Sequence, residues 1–205
     1  MVKKILSSGQ VRIISGQWRS RKLPIHDLEG LRPTTDRVRE TLFNWIANDV
    51  RGARVLDCFG GSGALSLESL SRYAAYARIF ELQPQAAKQL VTNLATLKCE
   101  NADVIKGDSL KHLAITPDKG FDIVFIDPPF RKSLTENCIQ LLDQHQWLLP
   151  DAFIYVETES ELAQLEVPAS WTQLKEKKAG QVIYRLYQYC PQQETDDTQG
   201  AEESV

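Results

Sequence analysis

From residue 53 onward, short apolar runs alternate with longer amphipathic stretches, and several of the runs end on an acid. Ala53-Arg54-Val55-Leu56-Asp57-Cys58 reads as a strand, followed by a glycine loop and a helix over roughly 63–73. Tyr76 to Glu81 is a second strand, and Pro84 opens a helix reaching about Lys98, with proline at an early position where a helix tolerates it. Ala102–Lys106 reads as a third strand with a short helix near Ser109–Leu113, and Phe121–Asp127 is the strongest strand in the chain. A helix around Leu134–Gln144 and a strand at Phe153–Glu157 follow. This repetition predicts an α/β fold with a parallel, doubly wound sheet. Trp171–Lys177 and Gln181–Tyr189 are strand-like runs too close together for a helical crossover, so they are expected to form an antiparallel hairpin closing one sheet edge.

A chain of 205 residues, 42% apolar and 25% charged, can bury a substantial core, and one domain is the expected count. No apolar run approaches the ~18 residues of a membrane span, and the basic N-terminus lacks the apolar segment of a signal peptide. The four cysteines include no Cys-x-x-Cys pair, which removes the common zinc-ribbon and redox layouts, so no metal is expected. Scattered thiols suit a reducing cytoplasm.

Charge is unevenly placed. Residues 1–51 hold ten Lys or Arg against five Asp or Glu, a net of +5; residues 52–190 hold 14 against 17; residues 191–205 hold five acids and no base. A locally basic head on an acidic chain can bind nucleic acid, because a polyanion responds to the nearby patch; a solvated basic surface is the plain alternative. Within the head, 11–19 and 21–24 read as two short strands of a small hairpin. A helix over roughly 36–48 follows, capped by Thr35 or Asp36, with Val38, Leu42, Trp45 and Ile46 on one face. The chain is therefore expected to divide into a basic extension (1–51), an α/β domain (52–190) and an acidic tail (191–205) with nothing to bury, expected to be disordered.

Three strand ends carry candidate chemistry. Asp57-Cys58-Phe59-Gly60-Gly61-Ser62-Gly63 sits between a strand and a helix, where glycines let a ligand approach the backbone. Ser66 stands where a dinucleotide fingerprint needs its third glycine, and no Walker lysine is present. The acid-x-x-x-Gly-x-Gly spacing fits an S-adenosylmethionine site, with Asp57, Phe59, Gly61, Ser62 and Gly63 around the amino-acid end. A structural turn is the alternative. Glu81 ends the next strand, where a carboxylate can accept both ribose hydroxyls. Asp108 can accept from an adenine amine or simply cap the helix beginning at Ser109.

The fourth strand end is Asp127-Pro128-Pro129-Phe130. The two prolines restrict φ and hold Asp127 extended. An amine conjugated to an aromatic base is a poor nucleophile because its lone pair is delocalised. The Asp127 carboxylate and Pro128 carbonyl can accept its two hydrogens and steer the nitrogen towards a methyl group. Phe130 can stack on the base.

The segments 31–45, 56–65, 127–130 and 179–182 resemble the bacterial 16S rRNA (guanine-N2)-methyltransferase family, RsmD, and the likeness runs from Val11 to Tyr189. Leu31-Arg32-Pro33-Thr34-Thr35-Asp36-Arg37-Val38-Arg39 is its specific part. The resemblance implies a class I, Rossmann-like seven-stranded fold and S-adenosylmethionine as methyl donor. It further implies a guanine of 16S rRNA, expected at position 966, as acceptor, met in an assembled or partly assembled 30S subunit by a monomeric enzyme. Gly60, where relatives often carry Ala, and Gln83-Pro84-Gln85, where they often carry an acid, depart from the pattern. Arg12, Arg19, Arg21, Lys22, Arg32, Arg37 and Arg39 are the candidate RNA contacts, although Arg37 and Arg39 could instead pack near the cofactor. A DNA adenine-N6 methyltransferase would usually need an added recognition region, a protein glutamine methyltransferase favours Asn at position 127, and a non-catalytic RNA-binding module leaves the loaded strand ends unexplained.

Overall fold

The strongest apolar run lies at the centre of a seven-stranded sheet. A computed structural model describes residues 9–25, 35–129, 134–162 and 164–191. In chain order the elements are β1 (Gln10–Arg12), β2 (Lys22–Pro24), α1 (Asp36–Trp45), β3 (Arg54–Asp57), α2 (Ala64–Ser71), β4 (Tyr76–Glu81), α3 (Pro84–Leu97) and β5 (Ala102–Lys106). They continue with α4 (Ser109–Leu113), β6 (Phe121–Ile126), α5 (Leu134–Gln144), β7 (Leu148–Glu159), β8 (Trp171–Ala179) and β9 (Val182–Tyr189). The main sheet runs β5-β4-β3-β6-β7-β9-β8, with β9 antiparallel to both of its neighbours. The doubly wound α/β expectation and the C-terminal antiparallel pair are both present.

Strands β3 and β6 contain no exposed position, as expected of strands covered on both faces. Their layers differ: Val55, Ile123 and Phe125 pack with α1 and α2, whereas Leu56, Val124 and Ile126 pack with Cys138, Ile139 and Leu142 of α5. Among the described residues no helix is long and apolar enough to cross a membrane.

Two expected boundaries shift. The strand expected at 153–157 starts five residues earlier, because β7 pairs Leu148 with Phe121 and then slips, so that Phe153 faces Ile123. Pro150 and the positive φ of Asp151 occupy the irregularity, and they hide the strand from a reading of alternation. In the basic head, the strand expected over 11–19 is only Gln10–Arg12, paired with β2. The chain then turns, closed by Ile13 N–H to Arg21 O and Ser20 N–H to Ile13 O, both 2.9 Å. Gly16 forces this. Its φ is +82°, and a Cβ there would lie 1.9 Å from the Ser71 carbonyl oxygen. The glycine lets the turn reach the end of α2, where Gln17 N–H donates to that oxygen at 2.8 Å.

The head therefore shares a core with the sheet. Val11, Ile13, Leu23, Val38, Leu42 and Phe43 belong to one cluster with Val55, Leu65 and Phe125. Helix α1 is capped by Thr35, whose hydroxyl accepts from Val38 N–H, and it ends at Trp45, with Ile46 as C-cap, short of the expected 48. Helix α2 is buried at every position, because the head covers the face that the sheet does not. An acid inside such a helix must be partnered. Glu68 is 0% exposed and accepts from Ile14 N–H at 2.7 Å, Ser15 N–H at 3.0 Å and Arg72 Nε at 2.7 Å.

This carboxylate ties the head to α2 and so to the main sheet. Glu68→Ala is expected to remove about 3 kcal/mol of stability in urea unfolding, because it strands two backbone donors and a guanidinium. Glu68→Gln, which keeps an acceptor, should lose less. Equal stability of wild type and Glu68→Ala would show that the head is held by its apolar contacts alone.

Candidate active site

The order of strands around β3 sets where a ligand can sit. From β3 the sheet grows outward through β4 and β5; the chain then crosses back, and β6 and β7 grow the other way. A crevice opens beyond the carboxyl ends at such a reversal. Asp57 is the last residue of β3, Glu81 the last of β4, and Asp127 directly follows β6. The parallel pairing continues past the strand end through Cys58 N–H to Phe125 O at 3.0 Å.

Asp57 is 2% exposed. It accepts from the Ser66 hydroxyl and, at 3.3 Å, from Phe59 N–H. Ser66, which spoils the dinucleotide fingerprint, is thus the partner of the loop's acid. Burial, with smaller contributions from the charges of Asp127 and Glu81, pushes the Asp57 carboxyl up to about 7 against these hydrogen bonds. Three carboxyl groups therefore sense one another at the switch point.

Glu81 is 7% exposed and bridges two backbone segments: Gly61 N–H and Gln83 N–H each donate to one of its oxygens at 2.7 Å. Burial raises its carboxyl above the ordinary range, and those two hydrogen bonds oppose the rise. Phe59, Gly61 and Ser62 of the loop are half-buried. Gly63 caps α2 with φ +75°, a conformation that side-chain-bearing residues rarely adopt, and a Cβ there would lie 2.4 Å from the Leu90 side chain, which would have to shift. Asp108 accepts from Leu110 N–H at 3.0 Å and caps α4, the plain alternative for that residue.

Asp127 is half-buried, Pro128 buried and Pro129 exposed, while Phe130 lies outside the described residues. Behind Asp127 stands Tyr155 of β7, whose hydroxyl donates to Glu157 at 2.6 Å. Burial raises the Tyr155 phenol well above its ordinary range, with the charges of Glu157 and Asp127 contributing. The Tyr155–Glu157 pair escaped the sequence reading because two buried polar groups on an apolar strand look like ordinary alternation. Leu82 was missed as well. It is 57% exposed directly after Glu81, an apolar side chain offered to solvent at the rim of the site.

The candidate RNA cations are spread over several environments. Arg19, Lys22 and Arg37 are exposed, and exposed Arg21 lies within reach of the Thr96 carbonyl at 3.4 Å. Arg12 pairs with Asp36 through Nη2 at 2.5 Å. Arg39 is only 2% exposed. Arg32 and the tail from 192 lie outside the described residues.

A family model described as "Conserved hypothetical protein 95" matches residues 11–188. Ribosomal RNA small subunit methyltransferase D of Escherichia coli strain K12 is 56% identical over 191 residues, covering 92% of this chain and 95% of that protein. The chain belongs to the RsmD family of methyltransferases. The protein of the same name from Haemophilus influenzae is 51% identical over 89% of this chain and 95% of its own. The solved yhhF protein of Escherichia coli superposes with a TM-score of 0.84 at 53% identity, over 90% of this chain and all of its own. The fold of this RsmD-family chain is that of the class I methyltransferases.

The raised carboxyl of Asp57 gives the stability of this RsmD-family protein a pH signature. A folded value near 7 lies above the unfolded value of about 4, so the folded state holds the proton more tightly. That contribution is complete below about pH 4 and is lost as pH rises through about 7, up to about 4 kcal/mol. Asp57→Asn keeps the acceptor for Phe59 and cannot ionise. Urea unfolding at pH 4.5, 6 and 8 should therefore show the variant gaining on wild type as pH rises. A difference independent of pH would mean that Asp57 is ionised throughout.

Proposed function

We propose that the chain transfers a methyl group from S-adenosylmethionine to the exocyclic N2 of a guanine in 16S rRNA, expected at position 966. The substrate is an assembled or partly assembled 30S particle, and the enzyme works as a monomer in the cytoplasm. The observation that carries this reading is Asp127-Pro128 at the switch point, beside the buried pair Asp57 and Glu81. The name shared by the Escherichia coli and Haemophilus influenzae relatives supports small-subunit rRNA as the substrate.

The donor set fits such a cofactor. Each Glu81 oxygen holds one backbone N–H and keeps a lone pair, so the carboxylate can still accept from two ribose hydroxyls. Asp57 and the amides of Phe59, Gly61, Ser62 and Gly63 address an amino-acid group at the start of α2, Asp108 can add an adenine contact beyond its cap, and Leu82 offers an apolar face to a base. When bound, the cofactor supplies an electrophilic methyl group.

The chain's own residues prepare the nitrogen. Asp127 and the Pro128 carbonyl accept the two amine hydrogens, which turns the lone pair towards the methyl group. On taking the methyl group, whose bond to the sulfonium sulfur would break to leave a thioether, the amine would lose one proton, and the Asp127 carboxylate is placed to receive it. Pro128, buried and restricted in φ, holds that carbonyl in position. Phe130 stacks on the base. Arg12, Arg19, Arg21, Lys22, Arg32, Arg37 and Arg39 supply the positive head that meets the RNA backbone.

These roles separate in kinetics. Asp127→Ala should slow single-turnover methylation of 30S particles lacking the modification by ~10²–10³, with cofactor affinity kept. Asp127→Asn should retain more activity, because its carbonyl still accepts one hydrogen. Phe130→Tyr should be mild and Phe130→Ala severe, since stacking is worth ~1–3 kcal/mol and needs a ring. Glu81→Ala should weaken S-adenosylhomocysteine binding roughly tenfold or more in calorimetry. Normal turnover in Asp127→Ala would overturn the assignment of the reacting amine to this motif.

A further inference from the structure

A recess of about 630 Å³ lies between the N-terminal hairpin and the first turn of α1, lined by Gln10, Val11, Arg12, Lys22, Thr35, Asp36 and Arg39. None of the cofactor-loop or catalytic residues lines it. Its composition is three cations and one carboxylate. Asp36 stands between two arginines, accepting from Arg12 through one oxygen and from Arg39 through the other. Burial raises the Asp36 carboxyl, but the hydrogen bonds from Arg12 and Arg39 outweigh it and hold the group below its ordinary range. One ionised carboxylate shared by two guanidiniums leaves positive charge over.

That excess is concentrated on Arg39. The side chain is buried, yet Nε and Nη1 have no hydrogen-bond partner among the described residues. A guanidinium removed from water with two donors unused is a costly arrangement unless an anion completes it. Lys22 is exposed at the rim and has no carboxylate partner among the described residues. The recess opens at the N-terminus of a ten-residue helix, whose dipole favours an anion in the same place.

We propose that this recess is an oxyanion site that takes one backbone phosphate of the RNA substrate, gripped by Arg39 and closed over by Arg12 and Lys22. The proposal rests on the reading of the protein as an RNA methyltransferase and deepens it. It selects, from the cations of the head, the three that hold one phosphodiester, and it leaves Arg37, exposed on another face of α1, outside the grip. Asp36 acts as a resident carboxylate that orders the two arginines before the phosphate arrives. Arginine suits this task because its planar donor fork matches phosphate geometry.

The full-length protein tests this with inorganic phosphate and with a 16S rRNA fragment bearing the target stem-loop. Phosphate should raise the wild-type melting temperature above a chloride control of equal ionic strength, and Arg39→Gln should lose that rise. Against the fragment, Arg39→Gln should weaken binding about tenfold or more and lower the slope of log K on log salt by ~0.7–0.9, with S-adenosylhomocysteine affinity unchanged. If Arg39→Gln does not fold, Arg12→Gln and Lys22→Gln must each reduce the rise in melting temperature that inorganic phosphate gives, while Arg37→Gln, outside the recess, leaves that rise intact.

Equal stabilisation of wild type and Arg39→Gln by phosphate would overturn the site. A fall in S-adenosylhomocysteine affinity with RNA binding intact would overturn the phosphodiester and assign the recess to the cofactor's carboxylate. The broader reading stands or falls separately, on whether the wild-type protein methylates the rRNA at all.

Discussion

The pairing of β3 with β6 governs the rest of this molecule. These strands are adjacent in the sheet, yet about seventy residues separate them in the chain, and the intervening segment builds β4 and β5 on the far side. Their adjacency places Asp57 and the residue after Ile126 at neighbouring strand ends, with no helix crossing between them. The apolar layers above and below exist to keep those two ends fixed. Every catalytic role assigned here depends on that placement, because none of the carboxylates could act from a loop free to move.

Concentrating acids in one crevice opposes folding, and the chain answers with directed hydrogen bonds. Asp57 is held by Ser66 and Phe59, and Glu81 by Gly61 and Gln83. Both carboxyls still sit above their ordinary range. A site with raised carboxyls favours ligands that bring hydrogen-bond donors or positive charge, and a sulfonium amino acid with a ribose brings both. The same logic recurs with reversed sign in the head, where a buried arginine lacks enough acceptors. The acid crevice adjoins the amino end of α2 through Asp57 and Ser66, and Glu68 of the same helix ties the head to it.

Much of this was legible in the residues. The strands Tyr76–Glu81 and Ala102–Lys106 and the helices Ser109–Leu113 and Leu134–Gln144 fall where apolar runs and period place them. Their signals are local, so no tertiary information was needed. The strand ends bearing Asp57, Glu81 and Asp127 were equally readable, because an acid closing an apolar run stands out. What stayed hidden depends on contacts between distant segments. Gly16 falls inside the strand expected over 11–19 until Ser71 is placed against it, and Glu68 looks like a surface acid until the head covers α2. The start of β7 was concealed by Pro150 and Asp151, whose irregular backbone imitates a loop. Arg39 stood among the candidate RNA contacts with packing near the cofactor as its alternative, and its depth stayed hidden because charge in a sequence carries none.

In the proposed reaction the Asp127-Pro128 acceptors, placed beside Asp57 and Glu81, present a base amine of small-subunit rRNA to a methyl group. Its most direct test is the identity of the product. Particles lacking the modification are incubated with the enzyme and labelled S-adenosylmethionine, and the 16S rRNA is digested and resolved by nucleoside and fragment mass spectrometry. The expected product is a single N2-methylguanosine, in the fragment containing position 966. Label in N6-methyladenosine, or in ribosomal protein rather than rRNA, would contradict it.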